Sequence, residues 1–185
     1  TGIYGVDTTK DTIENLLDID INYVYRVNFT SMINIVDALG GVDVTVDKGM
    51  AVSKFYTNST LKGVHEGKNH LDGKRALAYS RERKAYLDGD VQRARNQQQV
   101  LQAMFKKATS PEIIKNYTSL LNALIDAFDT NMTTSEITSF IKYQIQARPS
   151  WKFEQFVLKG DSALRVSPEI GSEVSVVLLY DSYIN

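Results

Sequence analysis

Residues 28–46 read Asn28-Phe29-Thr30-Ser31-Met32-Ile33-Asn34-Ile35-Val36-Asp37-Ala38-Leu39-Gly40-Gly41-Val42-Asp43-Val44-Thr45-Val46, and their periodicity changes in the middle. Up to Leu39 the apolar residues Ile33, Val36 and Leu39 recur at helical spacing behind a cap at Asn28 or Thr30. Gly40 takes the helix-stop position, and Gly41–Val46 then alternates with a period of two, as a strand does. A helix handing over directly to a strand sets the expectation for the whole chain. It is an α/β (mixed α+β) fold, a layered sheet with helices on both faces.

The flanks extend this pattern. Upstream, Thr8-Thr9-Lys10-Asp11 resembles a capping box ahead of an apolar stripe at Ile13, Leu16 and Leu17, and Ile21–Val27 has the aromatic and β-branched content of a strand. Downstream, residues 47–71 are polar and glycine-punctuated, and we expect a long irregular excursion with at most short strands. Asp72 can cap a short helix through Ala78, with Ser80–Lys84 leaving it extended; strand is the competing reading for 75–83. A long helix is expected from Asp88 or Asp90 to about Ala108, and another from Ser110-Pro111 through Phe128. Thr133–Glu136 forms a second capping box, and Trp151–Leu158 and Glu173–Tyr180 are expected to close the chain as strands.

Composition narrows the chemistry. The 185 residues suit one domain spanning 1–185, and 21 Lys+Arg against 22 Asp+Glu leave no basic excess for nucleic acid, so none is expected as a partner. The longest uninterrupted apolar run, Val176–Tyr180, is far short of the roughly 20 residues that span a bilayer. Zero Cys excludes thiolate sites and Cys nucleophiles, and His65 and His70 sit together in one polar stretch, where they are expected to be loop residues. Any chemistry must therefore come from Arg, Lys, Asp, Glu, Gln and hydroxyls.

One segment breaks the neutrality. Between 72 and 95, Lys74, Arg75, Arg81, Arg83, Lys84, Arg93 and Arg95 face only Asp72, Glu82, Asp88 and Asp90. On a helix Arg93 and Gln97 lie within about 40° of each other, and Val100 and Met104 continue the same stripe. In an extended 80–84, Arg81 and Arg83 share a side. Three guanidiniums and an amide then converge, and rigid bidentate guanidiniums suit phosphate. The competing reading is a solvated face in which these arginines pair with Glu82, Asp88 and Asp90. Asp88 and Asp90 are read as helix caps that orient nearby arginines, ahead of metal ligands.

Three stretches carry a family resemblance: Asp20–Tyr23 with Val27-Asn28-Phe29 and Val36–Val44; Leu71–Arg83; and Gly89-Asp90 through Arg93 to Gln97-Gln98. In order they cover most of 1–100, and the chain resembles the LytR–CpsA–Psr family of cell-wall polymer transferases, in its narrower features a streptococcal-type capsule member. The resemblance implies a phosphotransferase that takes an undecaprenyl-pyrophosphate-linked glycopolymer (capsular polysaccharide or teichoic acid) and attaches its glycosyl phosphate to peptidoglycan. A polyprenyl-pyrophosphate phosphatase side activity is compatible with it. Arg81, Arg83 and Arg93 match the catalytic, pyrophosphate-stabilising positions and Gln97 a pyrophosphate-binding one. Asn96 stands where the family commonly has another residue, and is expected to line the rim.

The family domain begins upstream with strands bearing the ligands of magnesium (Mg2+). The resemblance therefore makes this chain the C-terminal portion of a catalytic domain, with no metal ligand of its own. Its expected partner is an N-terminal fragment of the same domain, and its expected place is the extracellular face of the cytoplasmic membrane in a Gram-positive-type envelope, held by an anchor upstream. Two other classes remain: a non-catalytic module binding polyprenyl phosphate or an anionic wall polymer, and a transcriptional regulator.

Overall fold

The computed structural model describes residues 5–110, 113, 129–154 and 158–180. The chain divides into two compact units, residues 25–155 and residues 1–24 with 156–185.

The larger unit holds β1 (Tyr25–Arg26), α2 (Phe29–Ala38), β2 (Val42–Val46), β3 (Val52–Lys54), β4 (Lys62–Val64), β5 (Gly67–Leu71), α3 (Gly73–Arg81), α4 (Gly89–Ala108), β6 (Asp129–Thr130) and α5 (Thr134–Ala147). The helix-to-strand exchange falls where the sequence places it. Asn28 caps α2, its side chain accepting from Ser31 N at 2.8 Å. Gly40 and Gly41, at φ +74° and +86°, turn the chain into β2 through backbone that other residues rarely adopt. In β2 the valines Val42, Val44 and Val46 are buried while Asp43 and Thr45 face out.

The class is mixed α/β. Among the described residues the strands pair two by two and antiparallel: β1 with β6, β2 with β5, β3 with β4. Residues 47–71 are more regular than their composition suggests. Val52 and Lys54 pair with Val64 and Lys62, and 67–71 pair residue for residue with β2, Val42 opposite Leu71 and Val46 opposite Gly67. His70 is thus a strand residue, not a loop residue.

The core of this unit is formed by Val36, Val42, Val44, Val46, Phe55, Val64, Leu71, Ala76, Tyr79 and Val100. Fully burying each larger side chain stabilises the fold by about 1.5–3 kcal/mol. Helices α2 and α3 approach at backbone contact: a Cβ on Gly73 would sit 2.3 Å from the carbonyl oxygen of Ile33, and Asp37 Oδ1 accepts from Gly73 N at 2.7 Å. The end of α2 therefore meets the start of α3.

Other expectations are corrected. The strand at 21–27 shrinks to Tyr25–Arg26, because β6 offers partners to those two residues alone. Trp151–Glu154 are not a strand. Trp151 and Phe153 instead stack edge-on against Phe105 at 5.1 and 5.2 Å, and Trp151 Nε1 donates to Gln144 at 3.1 Å, so these aromatics anchor on helices. The capping box at Thr133–Glu136 is present in full. Most of the helix expected over 110–128 lies outside the described residues.

The smaller unit contains α1 (Gly5–Leu17) and the antiparallel pair β7 (Gly160–Val166) and β8 (Glu173–Leu179). Helix α1 starts earlier than the Thr8 cap reading. The Thr9 and Thr12 hydroxyls lie inside it and donate to the carbonyls of Gly5 and Thr8. Among the described residues no helix is long and apolar enough to cross a membrane.

Candidate functional site: an arginine cluster where α3 meets α4

Helix α3 is fixed at its start. Asp72 accepts from Arg75 N at 2.8 Å, and the Arg75 guanidinium donates to the carbonyls of His70 (2.7 Å), Gly63 (2.7 Å) and Lys62 (3.0 Å). Arg75 therefore joins α3 to β4 and β5. Three of its donors go to carbonyls, which ties this guanidinium to the strands.

The other end of α3 is built around a buried carboxylate. Glu82 has no exposed surface; one oxygen accepts from Tyr56 N at 2.7 Å, the other from Arg83 N at 3.0 Å and Ala85 N at 3.3 Å. A buried charge is tolerable when such donors surround it. Glu82 is thus not an ion-pair partner of the arginines. Arg81 is the last residue of α3, not part of an extended segment, and only at Glu82 does the backbone become extended. Because Glu82 points inward, both neighbours, Arg81 and Arg83, are exposed.

Helix α4 supplies the remaining residues. Asp88 occupies the cap position without a side-chain cap bond, so that expectation fails for Asp88. Asp90 does the orienting: its Oδ1 lies 2.8 Å from the Arg93 guanidinium and 3.4 Å from Arg83 Nε. Gly89 permits this approach, since a Cβ there would meet the Arg83 carbonyl oxygen at 2.4 Å. Arg83 and Arg93 are therefore brought together on one carboxylate. Arg81 lies apart from that pair, its guanidinium carbon 4.3 Å from the centre of the Phe29 ring. Gln97 is exposed one turn beyond Arg93, and no bond joins it to the arginines among the described residues.

The buried stripe of α4 is Gln92, Asn96 and Val100, so Arg93 and Gln97 flank it rather than lead it. Asn96 is wholly buried, which corrects its expected place on the rim. It accepts from Gln92 at 2.9 Å and donates to the Tyr79 carbonyl at 3.1 Å, satisfying the end of α3. Tyr79 and Tyr86 lie beneath, and burial raises both phenols above their ordinary range. They stay neutral donors at physiological pH, Tyr79 to Gln99 at 2.8 Å.

Sequence reasoning passed over two features. The β2–β5 register sets His70 opposite Asp43, Nδ1 at 2.8 Å from Oδ1. The contact of Phe29 with Arg81 joins residues fifty-two positions apart. Neither leaves a local signal, because both depend on pairing across the fold. Among the described residues no three His, Asp or Glu side chains come together as a metal-ligand group.

Guanidiniums gathered near the ends of two helices in a mixed α/β unit are chemically suited to an anion such as a phosphorylated group. The chain matches the LytR_cpsA_psr family over residues 2–169 and belongs to it. It is 38% identical over 135 residues to the polyisoprenyl-teichoic acid–peptidoglycan teichoic acid transferase TagU of Bacillus cereus strain AH820, a match covering 72% of this chain and 42% of that protein. The crystal structure of B. subtilis TagV superimposes with a TM-score of 0.76 at 24% identity, covering 97% of this chain and 66% of that one. A structure of TagT bound to LI-WTA gives 0.74 at 28% identity, covering 98% and 64%. The chain thus spans less than half the length of TagU.

Proposed function

We propose that this chain is the pyrophosphate-holding part of a transferase that attaches a wall glycopolymer to peptidoglycan. The observation that carries the reading is the arrangement of Arg81, Arg83 and Arg93 around the α3–α4 junction, with Asp90 bridging two of them. The names of the relatives favour teichoic acid over capsular polysaccharide as the polymer. Peptidoglycan, the acceptor in the relatives' names, lies outside the cytoplasmic membrane, so we place the reaction at its extracellular face.

In the reaction proposed, a peptidoglycan hydroxyl oxygen attacks the phosphorus that carries the glycosyl group. The bond from that phosphorus to the bridging oxygen breaks, and polyprenyl phosphate leaves with the electron pair while the hydroxyl proton is lost. Negative charge grows on the departing phosphate, and fixed guanidiniums stabilise it without reorganising. Gln97 orients the pyrophosphate through its amide. Magnesium, where the whole protein uses it, would draw its ligands from outside the described residues.

The test is a pair of alanine substitutions in the full-length protein. Arg81→Ala and Arg93→Ala are expected to reduce transfer by at least a hundredfold with the melting temperature nearly unchanged, because Arg81 is exposed, Arg93 is half-buried on an exposed carboxylate, and such surface contacts contribute little to folding. Gln97→Ala should lose less than either, since a neutral donor contributes less than a charged one. Parallel losses of stability and activity would make the cluster structural. Retained polyprenyl-pyrophosphate binding without turnover in the wild-type protein would make it a binding module.

A further inference from the structure

Phe29 is the first residue of α2, a position with no need of an apolar ring, and it is 57% exposed. Its face lies under the Arg81 guanidinium, 4.3 Å from ring centre to guanidinium carbon. Both partners are held by their backbones. Asn28 caps α2 and so fixes where Phe29 begins the helix, while the buried Glu82 fixes the turn that Arg81 enters. The Gly73 contact with Ile33 sets the spacing of the two helices, and Asp37 bonds Gly73 at their far end. The start of α2 consequently meets the end of α3.

Arg83 and Arg93 are oriented by Asp90, a carboxylate that also cancels part of their charge. Arg81 has no carboxylate partner among the described residues. An aromatic face can orient a guanidinium and leave its in-plane N–H donors directed outward with the full charge intact. We propose that Phe29 is the positioning residue for Arg81, a platform that presents an uncompensated guanidinium to the pyrophosphate. The inference rests on Arg81 serving the proposed transfer.

The test uses the full-length protein, with inorganic pyrophosphate and geranyl pyrophosphate as binding probes and polymer transfer as the rate readout. Phe29→Leu keeps an apolar side chain but removes the ring. It is expected to weaken probe binding by roughly 3- to 30-fold, the range of a cation–aromatic contact, and to lower kcat more than it raises KM. Phe29→Tyr and Phe29→Trp should restore binding to within about threefold. In an Arg81→Ala background Phe29→Leu should have no further effect. An equal loss in both backgrounds, or a Leu variant that behaves like wild type while Arg81→Ala is crippled, would overturn the platform and leave the transferase reading standing. An Arg81→Ala variant with normal binding and transfer would sink both. Should Phe29→Leu misfold, the ring variants decide: Phe29→Trp tenfold weaker than wild type while equally stable also overturns the inference.

Discussion

A single methyl group tests how Arg83 is held. Gly89 is the first residue of α4 and does not have a positive φ, so Ala would normally be the better residue there. Its Cβ, however, would meet backbone: the Arg83 carbonyl oxygen at 2.4 Å, with Arg83 Cγ at 2.8 Å. A carbonyl held in a tight turn yields less easily than a side-chain tip, so the clash outweighs the propensity gain. Gly89→Ala is expected to destabilise by about 1–3 kcal/mol, the usual range for overpacking, and to weaken pyrophosphate binding by displacing Arg83 from Asp90. Urea midpoints and calorimetry read the two effects; a raised midpoint would show that the turn gives way freely.

Between elements, the junction of α3 and α4 depends on Asn96. The last carbonyls of a helix lack partners within it, and Tyr79 finds one in Asn96 on the neighbouring helix. Asn96 also satisfies Gln92, and both side chains are buried. Asn96→Ala therefore leaves the Gln92 amide without its acceptor and the Tyr79 carbonyl with the Glu82 N–H alone, for a loss of about 1–3 kcal/mol. Asn96→Asp should be worse, because it sets an acceptor against the Tyr79 carbonyl. Denaturant unfolding of the two variants gives the order, and an Asp variant as stable as wild type would contradict the hydrogen-bond assignment. The same bond holds the end of α3 from which Arg81 projects, so both variants should lose pyrophosphate affinity as well.

At the scale of the molecule, buried phenols make stability depend on alkaline pH. Burial raises Tyr79 well above the value of about 10 expected for an unfolded chain. Below that pH both states keep the proton and the stabilisation is complete. Above it the unfolded state ionises first, so stability falls as pH rises. Tyr79→Phe should lose about 1 kcal/mol at neutral pH with the Gln99 bond. It should also decline less steeply between pH 9 and 11, retaining some slope because Tyr86 and Tyr25 are raised in the same direction. Urea midpoints across that range decide it, and parallel slopes would contradict it. Much of this molecule is legible along the chain: Asn28 and Asp72 as caps, the Gly40-Gly41 turn, the alternation of Val42–Val46, the Thr133–Glu136 box, and the basic segment itself. Each is a local rule, set by residues within a few positions of one another. Folding alone could bury Glu82 and Asn96, send Arg75 to backbone carbonyls, draw Arg83 and Arg93 onto Asp90, oppose His70 to Asp43 and slide Phe29 beneath Arg81. Those outcomes turn on strand register and helix contact, which join residues far apart in the chain, and the choice between a solvated charge and a buried one rests on neighbours that only the packed fold provides.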